Sequence, residues 1–187
     1  MPHGPERTDS TTKGKGAKAP APDTFEGQVL SLLPSLRRYS RSLTRSDPDG
    51  EDLLQDCVEK VLVRRGQWQG LNLKAWMFTI MTNLHRNSRR YAIRHPVEDM
   101  DGTDEIAADT VVSDPLERHR LESALNDLAP ESRAVLMLVV IEGYSYQEVA
   151  TMLAIPVGTV MSRLSRARQR LSARLSADNI ISLRRPR

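Results

Sequence analysis

The chain has 187 residues, a net charge of +3 and few aromatic residues, at 4%. This length is enough for one ordinary domain or two small ones, and the many Leu, Ala, Arg and Glu residues favour helices. No stretch approaches the roughly 18 consecutive apolar residues of a membrane span, and the polar N-terminus does not have the pattern of a secretory signal. The single cysteine, Cys57, cannot form an internal disulfide. We therefore expect a protein of the reducing cytoplasm with no membrane association.

Charge is strongly segregated along the chain. Residues 156–187 carry eight arginines and one acid, a net charge of +7, whereas residues 96–131 carry eleven acids and two arginines, a net charge of −9. Residues 86–94 add four arginines and no acid. A single basic block could be only a solvated face. Two basic blocks that each end an amphipathic helix favour nucleic-acid binding.

The first elements follow a polar tail. Residues 1–24 contain almost no apolar side chain, and we expect them to be disordered. Apolar residues at helical spacing over 32–43 predict a first helix, with a kink or a fresh start at Pro34. A second helix is expected to begin with Asp47 as its N-cap and Pro48 at its first helical position.

The third helix carries the strongest periodicity in the chain. Apolar residues follow the spacing i, i+3, i+4, i+7, i+8 and i+11 from Leu73, and the helix is expected to run to about Ala92. A glycine-flanked loop over 66–72 precedes it. Residues 94–113 are acidic and have no helical period, so they are predicted to form an interdomain linker.

A helix-turn-helix is predicted near the C-terminal end, after helices that open at Pro115 and Pro130. Ser145 and Glu148 have the spacing of a capping box, and Pro156 follows a short turn. The second helix of the pair has an arginine-bearing polar face, which is what a reader of the major groove requires. The alternative is an ordinary helical hairpin with a charged outer face. The predicted buried stripe comprises Val160, Leu164, Ala167 and Leu171.

Three blocks of the sequence carry a resemblance to a known family. Residues 49–56 read DGEDLLQD, residues 73–84 read LKAWMFTIMTNL, and residues 144–150 and 155–168 read YSYQEVA and IPVGTVMSRLSRAR. In this order, across an acidic linker, they resemble the extracytoplasmic-function (ECF) group of the sigma-70 family of bacterial RNA polymerase sigma factors. The resemblance covers about residues 25–175 and leaves both tails outside.

The resemblance implies an all-α fold of two small helical domains joined by a flexible acidic linker. It implies sigma region 2 at 25–93 and sigma region 4 at 114–176, on either side of the linker at 94–113, and it leaves outside the predicted disordered tail at 1–24 and a basic tail at 177–187. The expected function is to bind core RNA polymerase, direct it to promoters through the −10 and −35 elements, and assist promoter melting. We expect no enzymatic activity, no cofactor and no metal.

The resemblance also assigns residues to three surfaces. Contact with core RNA polymerase, through a basic coiled coil of its β′ subunit, is expected at Glu51, Asp52, Gln55 and Asp56. The β subunit is a further expected partner. Contact with the −10 element is expected at Trp68, Asn72, Asn83, Arg86, Asn87, Arg89 and Arg90. Contact with the −35 element is expected at Thr159, Met161, Ser162, Arg163, Ser165, Arg166 and Arg170. A partner anti-sigma factor is a further implication.

Several alternatives remain open at this level. The acidic face could be a plain solvated helix face. Trp76 lies on the apolar stripe and is better explained as a core residue than as a base-stacking one, whereas Trp68 in the loop could be either. A stand-alone helix-turn-helix regulator of the response-regulator output type is the closest rival function, although such a regulator would not have the 47–90 segment. An enzyme is disfavoured because the four histidines do not have the spacing of metal ligands and Cys57 lies on an apolar face.

Overall fold

The computed structural model describes residue 21, residues 23–95 and residues 115–181, and these ranges contain helices and no strand. The helices are α1 (Phe25–Thr44), α2 (Asp47–Val63), a 3₁₀ turn (Arg65–Gln67), α3 (Leu73–Arg94), α4 (Pro115–Asn126), α5 (Pro130–Leu136), a π-helical segment (Met137–Ile141), α6 (Tyr146–Leu153) and α7 (Val157–Ile181). The all-α prediction is confirmed. In this part of the chain, every helix is too short or too polar to cross a bilayer. Apart from residues at their edges, the predicted tail at 1–24 and linker at 94–113 lie outside the described residues.

Two details near the start of the described residues concern Pro34 and the first residue of α2. Helix α1 continues through Pro34 without a fresh start. Pro34 and Leu30, whose carbonyl loses its helical donor, both lie on the exposed side, where water can hydrogen-bond that carbonyl. The N-cap of α2 is Ser46 and not Asp47, because the Ser46 hydroxyl accepts from the backbone N–H of Asp49. Both residue types cap well, so the sequence alone did not separate them.

Helices α1, α2 and α3 form the first helical unit, whose centre is a buried aromatic contact. Tyr39 and Phe78 meet edge to face with ring centroids 4.9 Å apart. The Tyr39 hydroxyl lies 2.8 Å from Thr82 Oγ1, which itself donates to the carbonyl of Phe78. Burial raises the pKa of Tyr39, so the phenol stays neutral and donates within the core.

The contact between α1 and α2 depends on a glycine. A Cβ on Gly50 would lie 2.8 Å from Cγ of Arg41, a distance that real Cβ atoms essentially never show, and 3.0 Å from its Cα. Cys57, on the same helix, is fully buried, and its thiol approaches the carbonyl of Met77 at 3.5 Å. Burial raises the pKa of the Cys57 thiol to about 12, an effect that Asp56 reinforces. Cys57 is therefore a core residue, as predicted.

Helices α4 to α7 form the second helical unit. The predicted stripe on α7 is confirmed, because Val160, Leu164 and Ala167 are at most 2% exposed and Leu171 packs against the core. Helix α5 opens at Pro130, as predicted, and ends at Leu136, where the π-helical segment to Ile141 continues the chain. Helix α7 reaches Ile181, beyond the boundary predicted for region 4.

The two units pack against each other, and a buried arginine links them. Arg133, on α5, is 1% exposed. Its guanidinium donates to the carbonyl of Ser42 at 2.7 Å, near the end of α1, and to the carbonyl of Leu128 at 3.0 Å. Arg45 donates to the same Leu128 carbonyl at 2.9 Å. Burial lowers the pKa of Arg133 to about 10, with contributions from Arg45 and Arg89, so the group is still charged at neutral pH.

A buried carboxylate links the units a second time. Glu142 follows the π-helical segment, and its side chain is 2% exposed. It pairs with Lys74 of α3 at 2.7 Å and with Arg38 of α1 at 3.6 Å. Tyr144 lies against Phe78 of the first unit, with ring centroids 6.1 Å apart. The interface between the units therefore combines buried charge with apolar contact. We call this arrangement the closed arrangement.

The first prediction concerns Arg133. Arg133→Met should keep most of the apolar packing but leave the buried carbonyls of Ser42 and Leu128 with fewer donors. We expect the free energy of unfolding in urea to fall by about 2 kcal/mol or more, since hydrogen bonds from charged groups contribute about 1.5–3 kcal/mol each. The control is Arg174→Met, which removes a surface salt bridge to Asp127 and should cost well under 1 kcal/mol. Equal effects of the two substitutions would contradict the assigned role of Arg133.

Candidate nucleic-acid interface

The predicted helix-turn-helix is present as α6 and α7. Its first helix begins with the predicted capping box: the Ser145 backbone N–H donates to Glu148 Oε2 at 2.8 Å, and the Glu148 N–H donates to Ser145 Oγ at 3.3 Å. Hydrogen bonds from the Ser145 side chain and backbone lower the pKa of the Glu148 carboxyl. Ala154, in the left-handed region with φ 51°, then turns the chain toward α7. Local sequence thus determines where α6 begins and ends.

The residues predicted to bind the −35 element divide by exposure. The buried stripe of α7 faces the core, so the opposite side of the helix is free for DNA. Exposed side chains are Met161, Ser165, Arg166 and Arg170, and partly buried ones are Thr159, Ser162 and Arg163. The Ser162 hydroxyl donates to the carbonyl of Thr159 at 3.1 Å. One polar face therefore presents three hydroxyl side chains and several arginines.

The loop before α3 holds two of the residues predicted to bind the −10 element. Trp68 donates its indole N–H to the carbonyl of Leu71 at 2.9 Å, and its ring lies 5.4 Å from that of Phe25. Asn72, at φ 33°, caps α3 by accepting from the N–H of Ala75. The ring of Trp68 packs on α1, and the Asn72 side chain is engaged in the cap. The loop conformation is thus set by side-chain contacts at both ends.

The other residues predicted to bind the −10 element lie along the second half of α3. Asn83, Asn87, Arg89 and Arg90 are exposed, and Arg86 is partly buried. Arg86 approaches the carbonyl of Leu153, at the end of α6, at 3.5 Å. Arg89 forms a salt bridge to Glu131 of α5 at 3.3 Å. In the closed arrangement this basic surface is therefore partly occupied by the second helical unit.

Arginines from both units line one cavity of about 440 Å³. Arg86, Arg89 and Arg90 reach it from α3, and Arg163 reaches it from α7. We call it the interdomain cavity. Surfaces predicted to bind two separate promoter elements therefore meet at a single place.

The acidic face of α2 is mostly solvated. Asp52, Gln55 and Asp56 are exposed, and Gln55 donates to Glu59 at 3.0 Å. Glu51 is partly buried and accepts from Arg37 at 2.8 Å and Arg41 at 3.2 Å. Burial opposes a fall in its pKa, but hydrogen bonds and charge from the two arginines lower the pKa of Glu51. Three of the four predicted residues are thus accessible to a partner, and Glu51 is held by α1.

The residues that join the two units were not found from the sequence. Arg133 lies beside an apolar run, and its acceptor at Ser42 is 91 residues away in the chain. Glu142 and Lys74 carry no motif that relates them. The available signal was a charged residue at each end of the apolar run 134–141, which indicates that these residues lie near the core but does not identify their partners.

Two family models match the chain. The model described as Sigma-70, region 4 matches residues 118–171, and the model described as the Sigma2 domain of PhyR matches residues 29–82. The ECF RNA polymerase sigma factor EcfG of Rhodopseudomonas palustris is 38% identical over 165 residues, which cover 85% of this chain and 89% of that protein. The chain belongs to the ECF group of RNA polymerase sigma factors. RNA polymerase sigma factor CarQ of Myxococcus xanthus is also similar, at 30% identity over 81% of this sigma factor and 88% of the relative.

Two solved structures with a similar fold contain the similar chain bound to another protein. Sigma factor RpoE of Bartonella quintana, in complex with the anti-sigma factor NepR, aligns with a TM-score of 0.71 and 32% identity, covering 82% of this sigma factor and 98% of that chain. CnrH, in complex with the cytosolic domain of CnrY, aligns with a TM-score of 0.59 and 29% identity, covering 81% and 86%. The family predicted from the three sequence blocks is confirmed.

The second prediction concerns His85, which lines the interdomain cavity. Burial lowers its pKa to about 4, with contributions from Arg89 and Arg133. The unfolded chain therefore takes up a proton near pH 6.5 that the folded chain does not, and stability falls as pH falls from about 6.5 toward 4. We expect His85→Gln to reduce this loss of stability. The measurement is urea unfolding at about pH 7.5 and about pH 5, which lie above and below the pKa of about 6.5 in the unfolded chain. An unchanged pH dependence in the variant would mean that another group titrates.

Proposed function

We propose that this sigma factor divides its work between two domains, region 2 at 25–93 and region 4 at 114–176. Region 2 docks on core RNA polymerase and engages the −10 element, while region 4 engages the −35 element. The observation that carries the proposal is the combination of one acidic face with two basic faces, each on a separate helix. Core polymerase and promoter DNA are both cytoplasmic in bacteria, so we place the activity in the cytoplasm.

Docking on polymerase is assigned to the acidic face of α2. The exposed carboxylates of Asp52 and Asp56 can pair with a basic surface of the β′ subunit. Additional contact with the β subunit is part of the same proposal. Glu51 is engaged by Arg37 and Arg41, so its proposed part in docking includes holding α2 against α1. Long-range attraction between opposite charges would speed this association.

Contact with the −10 element is assigned to α3 and the preceding loop. Arg86, Arg89 and Arg90 suit phosphate contacts, because arginine is charged at all relevant pH values. The amides of Asn83 and Asn87 can donate to and accept from base edges. Trp68 and Asn72 shape the loop that would bound a pocket for an unstacked base, and unstacking costs a few kcal/mol.

Contact with the −35 element is assigned to the outer face of α7. Arg166, fully outside the buried stripe, is the candidate for a bidentate contact with guanine. Ser162, Ser165 and Thr159 offer hydroxyl groups on the same side. Arg163 and Arg170 flank this face and suit phosphate contacts.

Binding both elements requires the closed arrangement to open. The −10 and −35 elements lie about 25 base pairs apart, which is about 85 Å along B-DNA. A compact body of about 140 residues is only about 40 Å across. We infer that the interface made by Arg133 and Glu142 breaks when the sigma factor engages polymerase and promoter.

Because promoter binding requires the two units to separate, a protein that stabilises the closed arrangement would inhibit the sigma factor. The similar sigma factors of solved structure are bound to NepR and CnrY. We propose that an anti-sigma factor binds this chain as well. It would withhold the sigma factor from polymerase by opposing separation of the two units.

A second candidate function arises from the region 2 match. The matching model is that of the Sigma2 domain of PhyR, and PhyR is described as an anti-anti-sigma factor in its complex with NepR. A sigma-like chain could therefore sequester an anti-sigma factor without directing polymerase. The two functions differ in one observable, which is transcription with purified core enzyme.

The third prediction is that the purified chain, added to core RNA polymerase, yields specific transcripts from a diverse promoter library.

The fourth prediction concerns the acidic face of α2. Asp52→Lys combined with Asp56→Lys should weaken core binding at least tenfold in a fluorescence titration, because two attractive contacts become repulsive. Helical content, measured by circular dichroism, should not change, since both side chains are exposed.

The matched control is Glu117→Lys combined with Asp127→Lys, two charge reversals at exposed positions of the second unit. It should bind core enzyme like the parent chain. Absence of any transcript from the parent chain would favour the sequestering function. Normal core binding by the Asp52 and Asp56 double variant would show that the acidic face is only a solvated surface.

A further inference from the structure

Among the described side chains of α7, residues 157–176, one large apolar side chain lies mostly outside the core. Met161 is 54% exposed, and among residues 157–176 it is the one large hydrophobic side chain exposed to this extent. Its neighbours in sequence divide between the buried stripe and the polar face. A flexible thioether held in water next to serine and arginine side chains does not contribute to packing within the domain.

Met161 lies beside an aromatic residue from the other helix of the pair. Tyr146, at the start of α6, is 36% exposed. Both side chains line a shallow depression of about 290 Å³, which Ser165, Arg168 and Gln169 also line. An apolar floor with a polar and cationic rim is therefore present on the proposed DNA-reading side.

The chemistry of the major groove restricts what this depression can recognise. Base edges there present hydrogen-bond donors, acceptors and one apolar group, the 5-methyl of thymine. Met161 lies in the second turn of α7, in the N-terminal half of the helix that enters the groove in proteins of this architecture. A methionine side chain at that place cannot donate a hydrogen bond to the acceptors of guanine or adenine. It can, however, pack against the 5-methyl group of thymine and remove that group from water.

We propose that Met161, supported by Tyr146, recognises the 5-methyl group of a thymine in the −35 duplex. This inference rests on the proposed role of α7 in −35 binding and adds a base-specific apolar contact to it. The contact selects thymine against cytosine and uracil by burial of one methyl group. Arg168 and Gln169, at the rim, lie where they can contact the backbone beside that base.

The test uses the full chain with core polymerase and a promoter that it selects from a library. Each thymine of the −35 duplex, on either strand, is replaced singly by deoxyuridine, which removes only the methyl group. Burial of one methyl group corresponds to about a fourfold change in affinity. We expect one position at which this replacement weakens binding about fourfold for the parent chain and has no effect for Met161→Ala.

Two variants provide the controls. Met161→Leu keeps an apolar side chain and should retain discrimination between thymine and uracil. Ile141→Ala removes a side chain of equal exposure, 54%, at the end of the π-helical segment, and should leave the discrimination unchanged. Tyr146→Ala should reduce it, whereas Tyr146→Phe should preserve it.

The outcomes separate this inference from the proposed function. If no −35 sequence is selected, the proposed role of α7 fails. If a −35 sequence is selected but contains no thymine on either strand, or if every replacement is neutral for the parent chain, the methyl contact is wrong while −35 binding stands. Equal discrimination by the parent chain and Met161→Ala would also overturn it.

Discussion

Two charged side chains buried between the helical units are the constraint on which the closed arrangement depends. Arg133 ties α5 to the end of α1, and Glu142 ties the end of the π-helical segment to α1 and α3. Removing such groups from water costs much of what their contacts return, whereas removing one partner leaves the other buried and unpaired. They strongly oppose any packing that buries one partner without the other. The interface therefore favours one packing of the two units, and a competing partner can still break it.

The closed arrangement brings the binding surfaces of the two units together, and breaking the interface leaves each surface free to bind its own DNA element. The interdomain cavity brings arginines of α3 and α7 to one place, where repulsion between their like charges disfavours the closed state. Glu131 offsets part of that charge through Arg89. DNA phosphates would neutralise the same arginines more completely once the units separate. Polymerase and promoter binding can thus supply the free energy that opening requires.

Local sequence patterns predicted the helices well because each pattern has a local physical cause. The capping box at Ser145 and the stripe of Val160 and Leu164 depend on residues within a turn or two, and both are present. The helix start at Ser46 was missed by one residue because two good caps are adjacent. The packing of the units was not predictable, since Arg133 and Ser42 are 91 positions apart and their contact follows from tertiary structure alone. The surface assignments came from family resemblance, and they remain proposals with defined geometry.

The most direct test of this account measures the distance between the two units by double electron–electron resonance. Spin labels at Gln67→Cys and Ser172→Cys would lie on exposed positions of the first and second units, and the buried Cys57, whose pKa is raised to about 12, should not react. The free chain should give a single short distance. On a promoter with core polymerase, the distance should increase by roughly 40 Å, the difference between the spacing of the promoter elements and the width of the closed chain. An unchanged distance in a transcriptionally active complex would contradict the account.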